Sequence, residues 1–122
     1  MNIIEKFCIN GELSKRDLYK FIDDPDIVSV KNAVGVVIEP DAYVIYEDTQ
    51  MISGKETDVE IVAIRDRKSG EVFATNSPYV QRELKKIFET YYDPSDPEPL
   101  LIEFIEGESS KSGRTFKSVR MV

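Results

Sequence analysis

Apolar positions after residue 33 fall into short strand-like runs, interrupted once by helical spacing. Val34 to Glu47 reads as a first strand broken by Glu39-Pro40-Asp41. Proline cannot donate to a central ladder, so Pro40 marks a bulge, a bend or an edge. A long, bent strand shared between two halves of a barrel suits this segment. Asp58 to Asp66 reads as the second strand, with Val59, Ile61 and Ala63 on one face and Val62 and Ile64 on the other. Arg67-Lys68-Ser69-Gly70 is a turn signal, and Glu71 to Thr75 the third strand. Ser77 and Pro78 then suit a helix cap and first helical position. Val80, Leu84, Ile87, Phe88 and Tyr91 follow on one face of a helix from Pro78 to about Tyr91. A proline-punctuated loop over Asp93 to Pro99 leads to a fourth strand, Leu100 to Glu106. A hairpin loop over Ser109 to Gly113 leads to a fifth, Arg114 to Met121.

Residues 1–32 read as an extension ahead of these strands. Ser14 suits an N-cap with Asp17 at the third helical position, and Leu13 and Leu18 suit a hydrophobic staple. Leu18, Phe21 and Ile22 form one apolar stripe before Asp23-Asp24-Pro25 stops the helix. So short a helix needs a surface to pack on. Three strands, a helix and two strands are the order of a five-stranded OB-fold Greek-key barrel. The expected fold is therefore mostly β with one or two helices. The barrel would span 33–122, with its helix between strands three and four, and 1–32 would form a short N-terminal helical extension. OB barrels commonly bind oligonucleotides or oligosaccharides, although a fold does not fix a function.

A chain of 122 residues can bury enough surface to fold as one domain without staples. The chain has no histidine, which removes the commonest general base, the Ser-His and Cys-His dyads and every His-ligated metal site. Cys8 is the single cysteine, and it reads as a small buried hydrophobe. No glycine run has the spacing of a P-loop or a dinucleotide fold. The expectation is a binding protein, not an enzyme, with no cofactor and no metal. The first residues lack the apolar core of a signal peptide, and no apolar run approaches the length of a membrane span, so a cytoplasmic setting is expected.

The net charge of −7 argues against a strong nucleic-acid binder, which is usually basic. Its distribution softens the objection. Ser109 to Val122 carries Lys111, Arg114, Lys117 and Arg120 without an acid, a local charge of +4 against −11 for the remainder. Single-stranded nucleic acid needs cations for its phosphates and flat side chains for its bases. On the fifth strand Phe116, Ser118 and Arg120 share one face, while Val119 and Met121 share the other and suit a core. An exposed Phe116 beside Arg120 would stack on a base; the bland alternative lays it over an apolar neighbour. Lys111 and Arg114 flank the last hairpin loop, and Arg65, Arg67 and Lys68 could line the opposite side. Phe73 and Tyr46 are further aromatic candidates, either exposed and functional or part of the core, and Lys31 is a weaker cation. No residue supports base-specific readout.

Ala33-Val34-Gly35, the passage Gly70-Glu71-Val72-Phe73-Ala74-Thr75-Asn76-Ser77 and the hairpin Lys111-Ser112-Gly113-Arg114-Thr115-Phe116 carry a resemblance. The stretch Ala33 to Val122 resembles the small OB-fold single-stranded DNA-binding proteins of bacteriophages and mobile elements of Gram-positive bacteria. The resemblance implies non-catalytic coating of single strands during DNA replication or recombination. The expected partner is single-stranded DNA, with RNA also open; a second copy of the chain and replication or recombination proteins are further candidates, and no membrane is expected. Bacterial single-strand binders often end in an acidic tail, whereas this chain ends in a basic strand. The rival expectation is an acidic protein-interaction module or inhibitor whose carboxylates imitate nucleic acid.

Overall fold

The computed structural model describes residues 2–109, 111 and 113–122. Met1 and two serines of the last hairpin loop, Ser110 and Ser112, lie outside the described residues. The chain is mostly β with two helices, arranged as an open five-stranded sheet and an open three-stranded sheet. The strands are β1 (Asn2–Cys8), β2 (Val28–Ser29), β3 (Val37–Ile38), β4 (Pro40–Ile52), β5 (Lys55–Asp66), β6 (Val72–Thr75), β7 (Ile102–Glu108) and β8 (Thr115–Met121). The helices are α1 (Lys15–Ile22) and α2 (Pro78–Thr90), with a 3-10 turn over Val30–Asn32. The larger sheet runs β1-β4-β5-β6-β2 and the smaller β3-β7-β8.

The bent first strand is present. Val37–Ile38 pairs with β7, and Pro40 onward pairs with β5, so one passage of chain belongs to both sheets. The switch falls at Glu39-Pro40, where the register against β5 shifts between Pro40 and Ala42. Asp66 and Arg67 hold the corner. The Glu39 amide donates to Asp66 Oδ1 at 2.9 Å, and the Arg67 amide donates to the Glu39 carbonyl at 2.8 Å.

The ladders do not close a barrel. Closure would need the last strand to pair beside β6, but β2 occupies that edge in parallel, with Val28 opposite Phe73 and Ser29 opposite Ala74. What spans the gap is Ser77, whose Oγ donates to the Lys117 carbonyl at 2.8 Å. The first 32 residues are likewise more than an appended helix. β1 is the edge of the larger sheet, and Phe7 stacks on Tyr43 at 5.6 Å between ring centroids.

The larger sheet is covered on both faces, which explains why Pro40 to Tyr46 is buried without alternation. Tyr43, Ile45, Val62, Ile64 and Phe73 face a core shared with α2 and the smaller sheet. Ala42, Val44, Tyr46, Ile61, Ala63 and Val72 face a second cluster, closed by Leu13, Leu18, Phe21 and Ile22. The α1 cap is a reciprocal box: Ser14 Oγ accepts from the Asp17 amide at 3.1 Å, and Asp17 Oδ2 accepts from the Ser14 amide at 2.9 Å. In α2, Ser77 Oγ accepts from the Val80 amide at 3.3 Å, and Val80, Leu84, Ile87 and Phe88 are buried. Tyr91 does not join that face. The helix ends at Thr90, Tyr91 is exposed, and Tyr92 packs edge-on against Phe88 instead.

β4 and β5 continue as a two-stranded ribbon beyond the packed sheet. It turns at Ser53-Gly54, both at positive φ, the geometry of a tight two-residue hairpin. Glu47, Asp48, Glu56, Asp58 and Glu60 are exposed along it against a single cation, Lys55.

Candidate nucleic-acid interface

Antiparallel pairing of β7 with β8 sets the chemistry of the last strand. Gly107 lies opposite Phe116, Glu106 opposite Lys117 and Glu103 opposite Arg120. The last two are ion pairs, Lys117 Nζ with Glu106 Oε2 and Arg120 Nη2 with Glu103 Oε1 at 2.6 Å. Much of the positive charge of this strand is therefore answered by β7. Phe116 has no charge opposite it. Its half-buried ring lies across Gly107 and against Tyr79, with centroids 4.4 Å apart and planes inclined by 31°. The Arg82 guanidinium lies over the Tyr79 ring, 5.2 Å from its centroid. Tyr79 is 37% exposed, so this column of two rings and a cation stands at the surface.

Beside the column is an open cleft of about 610 Å³. Its lining includes Tyr46, Ile61 and Ala74, where the sheet emerges from under α1. Lys31 enters from the 3-10 turn, Gln50 from the ribbon, and Asn76, Tyr79, Phe116 and Lys117 from the opposite side. Lys31 is exposed and makes no ion pair among the described residues. Tyr46 is 6% exposed. Burial, reinforced by Asp48 and Asp23, pushes its phenol above the usual range, so the hydroxyl stays neutral at the cleft. A cleft of this kind offers ring faces, amides and a cation to a flat, anionic-backboned ligand. Among the described residues no group of three or more Cys, Asp or Glu side chains is arranged to hold a metal ion.

Of the ten residues singled out from sequence, Lys31, Tyr46 and Phe116 meet at this cleft. Lys111 and Arg114 are exposed on the adjoining hairpin, which closes through the Ser109 amide donating to the Arg114 carbonyl at 2.8 Å. The other five serve elsewhere. Phe73 is core, 3% exposed and 5.2 Å from the Phe104 ring centroid, so it offers no face to a ligand. Arg65 is fixed within the fold. Its Nε donates to Asp41 Oδ1 at 2.8 Å, its Nη1 reaches Asp17 at 3.4 Å, and it lies over the Phe21 ring. Arg67 is at the sheet corner, 3.6 Å from Glu39, and Lys68 is in the exposed β5–β6 turn. Arg120 is exposed but paired with Glu103. The inside-outside reading of β8 holds for Val119 and Arg120, yet Ser118 is buried where α2 lies alongside, and Met121 is exposed at the strand end.

Sequence reasoning did not single out Asn76, Gln50 and Tyr79, which line the cleft, or Arg82, which lies over the Tyr79 ring. The available signal was the spacing of Tyr79 and Arg82, three apart on α2 and off its apolar stripe. Among the described residues no helix is long and apolar enough to cross a membrane. No protein-family model matches the chain, and neither the curated proteins nor the solved structures yield a match.

Proposed function

We propose that this protein binds single-stranded DNA without catalysis and without sequence preference, and that its two sheets are an opened variant of the OB barrel. The observation that carries the reading is the Phe116–Tyr79 ring pair standing beside a cleft with Lys31 at its rim. Base-on-ring stacking is worth about 1–3 kcal/mol per base and tolerates any sequence. On this reading Lys111 and Arg114, exposed on the hairpin that leads into Phe116, add phosphate contacts. The acidic ribbon opposes a phosphate chain, so stacking carries the larger share of the affinity. On this reading the protein coats single strands during replication or recombination, as the resemblance to phage and mobile-element proteins suggests.

The test is an anisotropy titration with a labelled single-stranded oligonucleotide and its duplex across a range of salt. The expected result is tighter binding of the single strand, with a shallow salt dependence of about −0.7 per phosphate contact. No binding at micromolar protein in low salt would overturn the reading. It would favour the second one, an acidic interaction module, for which the exposed carboxylates of the ribbon are the specific observation.

A further inference from the structure

The face of β4, β5 and β6 that an OB barrel would turn to a ligand is largely taken. Ala42, Val44, Ala63 and Val72 are buried in a cluster with Leu13, Leu18, Phe21 and Ile22. A strand entering the cleft from the last hairpin therefore cannot continue across that face. The way out lies past Phe116. There the rings of Phe116 and Tyr79 stand 4.4 Å apart, and Arg82 follows at 5.2 Å.

Burial of Val80, Leu84, Ile87 and Phe88 fixes how α2 is rotated. Tyr79, Arg82 and Lys86 consequently share an exposed stripe at spacings of three and four residues. The stripe runs about 10 Å along the helix. Lys86 makes no ion pair among the described residues, and Arg82 has only its neighbour Glu83, at 3.8 Å. Lys85 meets Glu5 at 3.5 Å. Arg82 and Lys86 also border the groove between α2 and β5, where Lys85 joins them and Asp58, Glu60 and Glu89 balance their charge.

Building on the single-strand reading above, we propose that the DNA strand leaves the cleft over the Phe116–Tyr79–Arg82 column and continues along α2 to Lys86. Tyr79 then meets the strand at the exposed part of its ring, and Arg82 and Lys86 are phosphate contacts.

The experiment compares the wild-type chain with an Arg82→Ala/Lys86→Ala double variant on a long oligothymidylate, each across a salt series. Both positions are exposed and helical, and a thermal melt checks that the fold is kept. The expected result is a salt slope shallower by about 1.4, two contacts at about 0.7 each. Photo-crosslinking of a 5-iodouracil oligonucleotide to the wild-type chain should label Tyr79. Unchanged slope and affinity in the double variant, with the wild type binding normally, would overturn the path and leave the single-strand reading standing. Failure of the wild type to bind at all would overturn both.

Discussion

Phe116 lies directly across the β7–β8 ladder from Gly107, and its ring fills the space where a side chain at 107 would begin. A Cβ built on Gly107 would stand 2.5 Å from Phe116 Cζ and 2.8 Å from Cε2. The glycine thus leaves room for the distal end of the ring, which stands beside Tyr79. Gly107→Ala sets two effects against each other. Alanine in a strand recovers roughly 0.5–1 kcal/mol of backbone entropy. Overpacking costs about 1–3 kcal/mol, and the ring must swing away to relieve it. The expected net is a loss of about 1 kcal/mol, a fall of about 4 °C in Tm. Weaker single-strand binding should accompany it, because the displaced ring leaves Tyr79. An unchanged melt and an unchanged titration would show that this contact does not position the ring.

Phe116→Ala and Phe73→Ala should separate a surface ring from a core ring. Phe73 is packed against Phe104 inside the molecule, and its truncation should cost about 3–5 kcal/mol. Phe116 is half-buried, and its truncation should cost about 1–2 kcal/mol, between surface and core behaviour. Binding should respond in the opposite order, with Phe116→Ala losing about 1–3 kcal/mol of affinity at an almost unchanged salt slope. Urea unfolding and anisotropy on the two variants provide the check. Equal loss of stability in both would make Phe116 a core residue and remove the stacking platform.

Arg65 illustrates what a list of cations cannot say. Asp41 is buried, and Arg65 spans it with Nε at 2.8 Å and Nη2 at 3.2 Å. Arg65→Ala would leave that carboxylate buried without its partner, a loss of about 3–5 kcal/mol. Any fall in DNA binding should track unfolding and leave the salt slope of the folded fraction alone. A shallower slope with undiminished Tm would instead return Arg65 to the binding surface.

The strands, caps and helix that the sequence made legible are those whose signals are local. Pro40 announced the bulge because it lacks an amide proton, and Ser14 with Asp17 and Ser77 with Pro78 announced caps through contacts three residues away. The elements that were hidden lack such signals. In β1 the register shifts between Ile3 and Glu5, which breaks the two-residue alternation. The ribbon beyond Glu47 has mostly exposed residues on either face, so no apolar pattern marks it. β2 is two residues long and exists because β6 offers an edge, and by taking that edge it leaves the barrel open. At the site, the Phe116 ring and the Lys31 cation were readable. The Arg65–Asp41 pair spans 24 residues and the Phe116–Tyr79 pair joins a strand to a helix start, so neither follows from spacing.

Asp66 ties the strand corner to the pH of the solution. Burial pushes its carboxyl up, but hydrogen bonds from the Glu39 amide at 2.9 Å and from Ser69 Oγ at 2.8 Å outweigh it, and the group sits below the usual carboxylate range. Asp17 is also held low, chiefly by the Ser14 amide of the α1 capping box. A carboxyl whose pKa is lower folded than unfolded binds its proton more readily in the unfolded chain. Its stabilising contribution is therefore complete above the unfolded value near 4 and is lost as the pH falls through the depressed folded value. Asp66→Asn removes one of these two groups. The variant should be less stable than wild type at neutral pH, and the difference should narrow as acid is added, because wild-type Asp66 then also loses its charge. Urea midpoints at pH 7 and at about pH 3 measure this directly. A difference that stays constant across that range would mean that the corner is held by the geometry of the turn and not by the charge on Asp66.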